Sequence, residues 1–193
     1  MRVIAGEAKG RRLRPVPGNV TRPITDRVKG ALFNILGERV VGASVLDLFA
    51  GTGSVGIEAL SRGAQQAVFV EQDKRALHTI RENLQATHLR ERAVIIPRDV
   101  FDYLARLKPE EKFDIIYVAP PQYRGLWART LRALDRKTPL TPQGVVIVQI
   151  FPKEYEPLAL TNLVLTDQRR YGSTLLCFYE LADAEESASA PPH

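Results

Sequence analysis

Short apolar runs alternate along the chain with longer stretches in which apolar residues recur every three or four positions. Val45–Phe49, Gln66–Glu71, Ala93–Ile96, Phe113–Val118 and Gly144–Ile150 read as buried strands. Between them, Val55–Arg62, Asp73–Ala86, Phe101–Leu107 and Leu126–Arg136 carry the helical period. An earlier helix is expected from Thr25, a candidate cap, to about Gly37, with Val28, Ala31, Leu32 and Ile35 on one face. Strand–helix alternation of this kind implies an α/β fold, a doubly wound, mostly parallel sheet covered on both faces. After Ile150 the rhythm changes. Leu163–Gln168 and Ser173–Leu181, joined through Arg169–Gly172 with no helix between, predict an antiparallel hairpin at the sheet edge.

Both ends of the chain differ from this core. Met1–Pro17 reads as a small basic hairpin around Gly6 and Gly10, kept from a central sheet position by Pro15 and Pro17. Asn19–Thr25 reads as a polar turn. Residues 182–193 are small, acidic and proline-ended, the composition of a disordered tail. The expectation is one domain over 1–181, with 1–18 as an N-terminal extension.

Candidate chemistry begins at the first strand. Gly51 and Gly53 follow it as a tight turn, and Ser54 is placed to cap the next helix. Strand, glycine turn and helix N-terminus form a pocket for a nucleotide-like ligand. With Gly56 the glycines also satisfy the dinucleotide pattern, so spacing alone fits two ligands. Asp47 tips the balance: a carboxylate there repels a pyrophosphate and suits a ligand with a cationic amino-acid end and no phosphate, S-adenosylmethionine. Phe49 lies between that acid and the turn. Glu71 and Asp99 end or follow the next two strands. Glu71 stands about twenty residues past the turn, where an acid can hold both ribose hydroxyls, and Asp99 can accept from the adenine amine. Asp73 competes with Glu71 but is equally a helix cap.

Charge adds a partner. Residues 1–39 hold nine Lys or Arg and three Asp or Glu, a net of +6, while the whole chain is +5. The excess therefore belongs to the N-terminal segment, and Arg11, Arg12, Arg14, Arg22, Arg27 and Lys29 become candidate contacts to nucleic-acid phosphates. A lone cysteine, Cys177, and no apolar N-terminal run point to a reducing, cytoplasmic setting. No apolar run approaches the ~20 residues of a membrane span, and no Cys/His spacing suggests a metal. Nothing demands more than a monomer.

With Arg22-Pro-Ile-Thr-Asp-Arg-Val-Lys-Gly-Ala-Leu-Phe-Asn-Ile-Leu36, Leu46-Asp-Leu-Phe-Ala-Gly-Thr-Gly53, Glu58-Ala-Leu-Ser-Arg-Gly-Ala64 and Phe69-Val-Glu71, and more weakly with Phe113–Ile116 and Tyr171-Gly172, the chain resembles the bacterial small-subunit ribosomal RNA guanine-N2 methyltransferases of the RsmD type. The resemblance implies a class I, Rossmann-like methyltransferase fold, S-adenosylmethionine as donor, and a guanine of 16S rRNA in the small subunit as acceptor. It breaks after the fourth strand. The family carries Asp-Pro-Pro followed by Tyr or Phe; here the run is Ala119-Pro120-Pro121-Gln122, with Tyr123 one place late. Pro120, Pro121, Gln122 and Tyr123 remain the expected acceptor side, with the Pro120 carbonyl and Gln122 or Tyr123 supplying contacts that Ala119 cannot. The alternatives are an RNA- and S-adenosylmethionine-binding assembly factor with weak or no catalysis, a DNA amino methyltransferase and, more distantly, an NAD oxidoreductase.

Overall fold

The computed structural model describes residues 1–18 and 23–183. Arg22, most of the expected polar turn and residues 184–193 of the expected tail lie outside the described residues. Seven strands form one sheet: β1 (Ser44–Leu48), β2 (Gln66–Glu71), β3 (Ala93–Pro97), β4 (Phe113–Val118), β5 (Leu140–Ile150), β6 (Leu163–Tyr171) and β7 (Thr174–Leu181), in the order β3-β2-β1-β4-β5-β7-β6. The first five pair in parallel, and β7 runs antiparallel to both β5 and β6. The helices are α1 (Asp26–Leu36), α2 (Ser54–Ser61), α3 (Lys74–Ala86), α4 (Val100–Arg106) and α5 (Leu126–Lys137).

The two-residue period of the strands divides the core. Val45, Phe69, Ile115, Tyr117 and Ile147 face one side, where Leu32 of α1, Ile57 and Leu60 of α2 and Ile80 of α3 cover them. Leu46, Leu48, Val70, Ile116 and Val118 face the other, under Leu104 of α4 and Trp127 and Leu131 of α5. Short polar groups start the helices. Thr25 accepts from the Val28 amide, Asp73 from the Arg75 amide, and Asp99 from the Phe101 and Asp102 amides. Ser54 does not act as expected. It is the first residue of α2, and the cap position belongs to Gly53, with no side-chain cap; the Ser54 hydroxyl accepts from Lys29 Nζ instead. The fifth strand also starts earlier than its apolar run, at Leu140, with a register irregularity opposite Phe113–Ile115.

The N-terminal hairpin reduces to one antiparallel bridge, Arg2 with Arg12. Its apolar residues, Val3, Ala8 and Leu13, belong to the core on the α1–α2 side. What fixes it there is a buried ion pair. Glu58 on α2 and Lys29 on α1, both with side chains 0% exposed, lie 3.3 Å apart. Glu58 also accepts the Ile4 and Ala5 amides at 2.8 and 3.2 Å and Arg62 Nε at 3.0 Å. Lys29 Nζ donates to the Arg2 carbonyl at 2.7 Å and to Ser54 Oγ at 3.0 Å. Burial lowers the Lys29 pKa, and Glu58 opposes that shift. This corrects the expectation for Lys29, whose helical phase turns it inward: it cannot reach an RNA phosphate. Replacing Lys29 with Met leaves Glu58 with only Arg62 as a cation and takes the donor from the Arg2 carbonyl. We expect a loss of about 3–5 kcal/mol in urea unfolding; a loss below about 1 kcal/mol would mean that the pair is not buried in solution.

Candidate active site

β1 lies between β2 and β4, so the crevice where a doubly wound sheet binds its ligand opens at the C-terminal ends of β1 and β4. The chain leaves β1 through Phe49 (φ 58°), Gly51 (φ 57°) and Gly53 (φ 78°). Phe49 is unusual there, since a side chain at positive φ costs steric energy. Its ring meets Phe101 edge-on at 6.4 Å, and Arg129 of α5 lies 3.6 Å over the Phe101 ring. The turn closes with Gly53 N donating to the Ala50 carbonyl at 2.8 Å.

Two carboxylates hold this turn. Glu71, at the end of β2, accepts the Gly51 amide on Oε2 at 2.9 Å and the Gln72 and Asp73 amides on Oε1 at 2.9 and 3.0 Å. It thus stands at the turn, bonded to its backbone. Asp47 behaves differently from the expectation. It is 1% exposed and faces α2, where its Oδ2 accepts the Gly56 amide at 3.1 Å. Burial pushes its carboxyl well above the usual range; the Gly56 bond opposes this and nearby Glu71 adds to it. An acid enclosed under α2 and bonded to the Gly56 amide does not meet a ligand's cationic end. Asp47 acts on the site through the turn, by fixing the start of α2. Its period-2 position decides this: Val45 and Asp47 share the face that α2 covers.

Asp99 follows β3 and spends Oδ1 on the first amides of α4. Gly56 has a packing role. A Cβ there would stand 2.4 Å from the Phe69 ring.

The acceptor side leaves β4 next door. Leu48 pairs with Val118, so Phe49 and Ala119 leave adjacent strands side by side, about 5 Å apart in backbone spacing. Ala119 packs against the core. Pro120 and Pro121 are half-buried, Gln122 is exposed, and Tyr123 is 65% exposed at φ 60°. Tyr123 N donates to Glu154 Oε1 at 2.7 Å, and its ring meets Phe151 at 5.8 Å. Sequence reasoning missed Phe101, Arg129, Phe151 and Glu154. The last two sit past β5 in a stretch without periodicity, and the chain gives no local sign that they meet the Pro-Pro loop.

The basic residues of the N-terminus divide. Arg11, Arg12 and Arg14 are exposed, as is Arg27 at the start of α1. Lys9, Gly10, Arg11, Arg12 and Ala86 line a cleft of about 510 Å³. Arg11 donates to the Ala86 carbonyl at 3.2 Å, and Arg14 pairs with Glu82 at 3.3 Å. Among the described residues no helix is long and apolar enough to cross a membrane.

The strand order, the glycine turn after β1 and the acid at the end of β2 define a class I methyltransferase fold, that of the S-adenosylmethionine-dependent methyltransferases. The chain belongs to the family described as Conserved hypothetical protein 95, whose model matches residues 1–180. It is 37% identical over 181 residues to "Putative rRNA methyltransferase YlbH" of Bacillus subtilis, covering 93% of this chain and 98% of that one. It is 33% identical over 188 residues to ribosomal RNA small subunit methyltransferase D of Escherichia coli, covering 97% and 93%. The solved structure of the Thermus thermophilus hypothetical protein TTHA0928 superposes with a TM-score of 0.82 at 32% identity, covering 94% of this chain and 99% of that one.

Asp47 predicts a pH signature. A carboxyl whose pKa is raised on folding costs stability once pH exceeds its unfolded value near 3.8. Asp47→Asn keeps an acceptor for the Gly56 amide and carries no charge. Its melting temperature should match the natural protein's in acid and exceed it increasingly as pH rises through and above the ordinary carboxylate range. A constant difference across pH 3–8 would refute the assignment. Gly56→Ala should cost about 1–3 kcal/mol in chemical unfolding, since the new methyl overlaps the Phe69 ring.

Proposed function

We propose that this protein transfers a methyl group from S-adenosylmethionine to the exocyclic N2 amine of a guanine in 16S rRNA of the small ribosomal subunit. The observation that carries the reading is the adjacency of the glycine turn after β1 and the Pro-Pro loop after β4, at the switch point of the sheet. The E. coli relative's name supports the small subunit as substrate.

The acceptors fit the cofactor: Glu71 Oε2, which takes a single amide, for the ribose and the second oxygen of Asp99 for the adenine amine. Bound there, S-adenosylmethionine supplies an electrophilic methyl on a sulfonium centre. The protein's part is to place and orient the amine. A guanine amine is a poor nucleophile because its lone pair is delocalised into the ring. An acceptor on its N–H groups favours the pyramidal geometry that frees the pair. The Pro120 carbonyl and the Gln122 side chain are the acceptors for that role, and Tyr123 is the aromatic that stacks on the base once it leaves its helix. Arg11, Arg12, Arg14 and Arg27 hold phosphates and set register without reading sequence; Arg22 joins them on sequence grounds alone.

Ala119 favours a second reading, a protein that binds S-adenosylmethionine and RNA for subunit assembly but transfers slowly. Removing one preorganised hydrogen-bonding group, an oxyanion-hole donor, costs about 2.7–4 kcal/mol in another enzyme, while alignment alone retains much of the rate. Radiolabelled methyl transfer to unmethylated small subunits separates the two. We expect incorporation on guanine N2 by the natural protein and faster incorporation by Ala119→Asp. Silence from the natural protein with strong transfer by Ala119→Asp would establish the binding role, and silence from both would overturn the substrate. Neutralising Arg11, Arg12 and Arg14 together should flatten the salt dependence of RNA binding by about 2–3 in log–log slope without changing S-adenosylmethionine affinity. An unchanged slope removes this group from the interface.

A further inference from the structure

We infer that Glu154 is a positioning residue for methyl transfer: it clamps the Pro-Pro loop so that Tyr123 and Phe151 form one two-ring platform for the target base. This rests on the proposed function and adds residues to its acceptor side. The Pro-Pro loop ends β4, and Glu154 closes a short 3-10 turn, Pro152–Glu154, just after β5. Its two carboxylate oxygens divide between the segments. Oε1 accepts the Tyr123 amide at 2.7 Å and Oε2 accepts the Phe151 amide at 3.3 Å. The rings of those same two residues meet at 5.8 Å with an interplanar angle of 51°.

The clamp answers a physical need. Tyr123 sits at φ 60° and Gly125 at φ 64°, so the loop reverses through two left-handed residues, one of them carrying a bulky side chain. A tyrosine at positive φ is strained and holds that shape only when its surroundings impose it. A charged acceptor on its amide imposes it, because hydrogen bonds to ionised groups are among the stronger ones in proteins. With 65% of its surface exposed, Tyr123 has little packing of its own to do this. Below the clamp, Tyr155 stacks on Trp127 at 6.2 Å and an angle of 27°, anchoring the segment that carries Glu154 to the buried start of α5. An exposed aromatic on a second ring, at the mouth of the switch point, suits a flat base that has been unstacked from RNA. The clamp also bears on Ala119. With no acid at that position to bond the loop, a carboxylate reaching across from 31 residues away fixes it.

The test pairs transfer kinetics with amide exchange. Glu154→Ala, Glu154→Gln, Tyr123→Ala and the double variant Glu154→Ala/Tyr123→Ala are compared with the natural protein on small subunits, with S-adenosylmethionine affinity as the control for folding. Glu154→Ala should lower kcat/KM for RNA about tenfold or more, leave S-adenosylmethionine affinity within about twofold, and speed hydrogen exchange at the Tyr123 amide. Glu154→Gln, which carries no charge and has one acceptor oxygen for the two amides, should fall between Glu154→Ala and the natural protein. In the Tyr123→Ala background, removing Glu154 should cost little more, because both changes dismantle one platform. Full, additive losses in the double variant, or an unchanged rate in Glu154→Ala, would overturn the inference. If the natural protein transfers no methyl, the functional reading fails. Exchange at Tyr123 then decides the clamp: protection lost in Glu154→Ala upholds it, and equal exchange overturns it.

Discussion

The enclosed pair of Lys29 and Glu58 is the interaction on which the rest of this molecule depends. Two charges removed from water cost more than their attraction returns unless every donor and acceptor is met. Here they are met by the backbone of the first five residues, by Ser54, by Arg62 and by each other. The pair therefore forms only when the N-terminal segment, α1 and α2 are all in place. Since α2 begins at the glycine turn, the geometry that ties down the basic N-terminus also fixes the start of the cofactor site. An apolar contact of the same size would hold these elements with less directional demand.

From α2 the constraints run toward the sheet. Asp47 accepts the Gly56 amide from below, Gly56 lets α2 lie close against Phe69, and Glu71 accepts the Gly51 amide from the neighbouring strand. The turn is thus held from both sides before any ligand arrives, which lowers the ordering cost of binding. The acceptor side is built by different means. The Pro-Pro loop is short and strained, and its tip is exposed. Its hold comes from a carboxylate on another segment and from one aromatic contact.

The alternation of strands and helices was legible in the sequence because burial on both faces of a parallel sheet imposes continuous apolar runs, and these are local. The acids at the ends of β2 and β3 were legible for the same reason, since a strand end is a local event. Thr25 and Asp73 as caps also follow from neighbours one to three residues away. Lys29 and Asp47 were misread because a side chain's charge does not reveal which way it points. Lys29 lies in a basic segment whose other described members face water, yet its position on α1 turns it to Glu58. Asp47 occupies the inward phase of β1, and only the helix packed over that phase shows what it meets.

The sequence by itself determined the order of elements, the glycine turn and the acids flanking it, because each depends on residues a few places apart. Tertiary structure alone decided which charges are surface and which are scaffold, and which distant segment completes the acceptor loop. Glu154 lies 31 residues from Tyr123, and Lys29 lies 27 from the Arg2 carbonyl it bonds. Partners so far apart are chosen by the packing of sheet and helices, where the cost of leaving a buried polar group unmatched selects one arrangement.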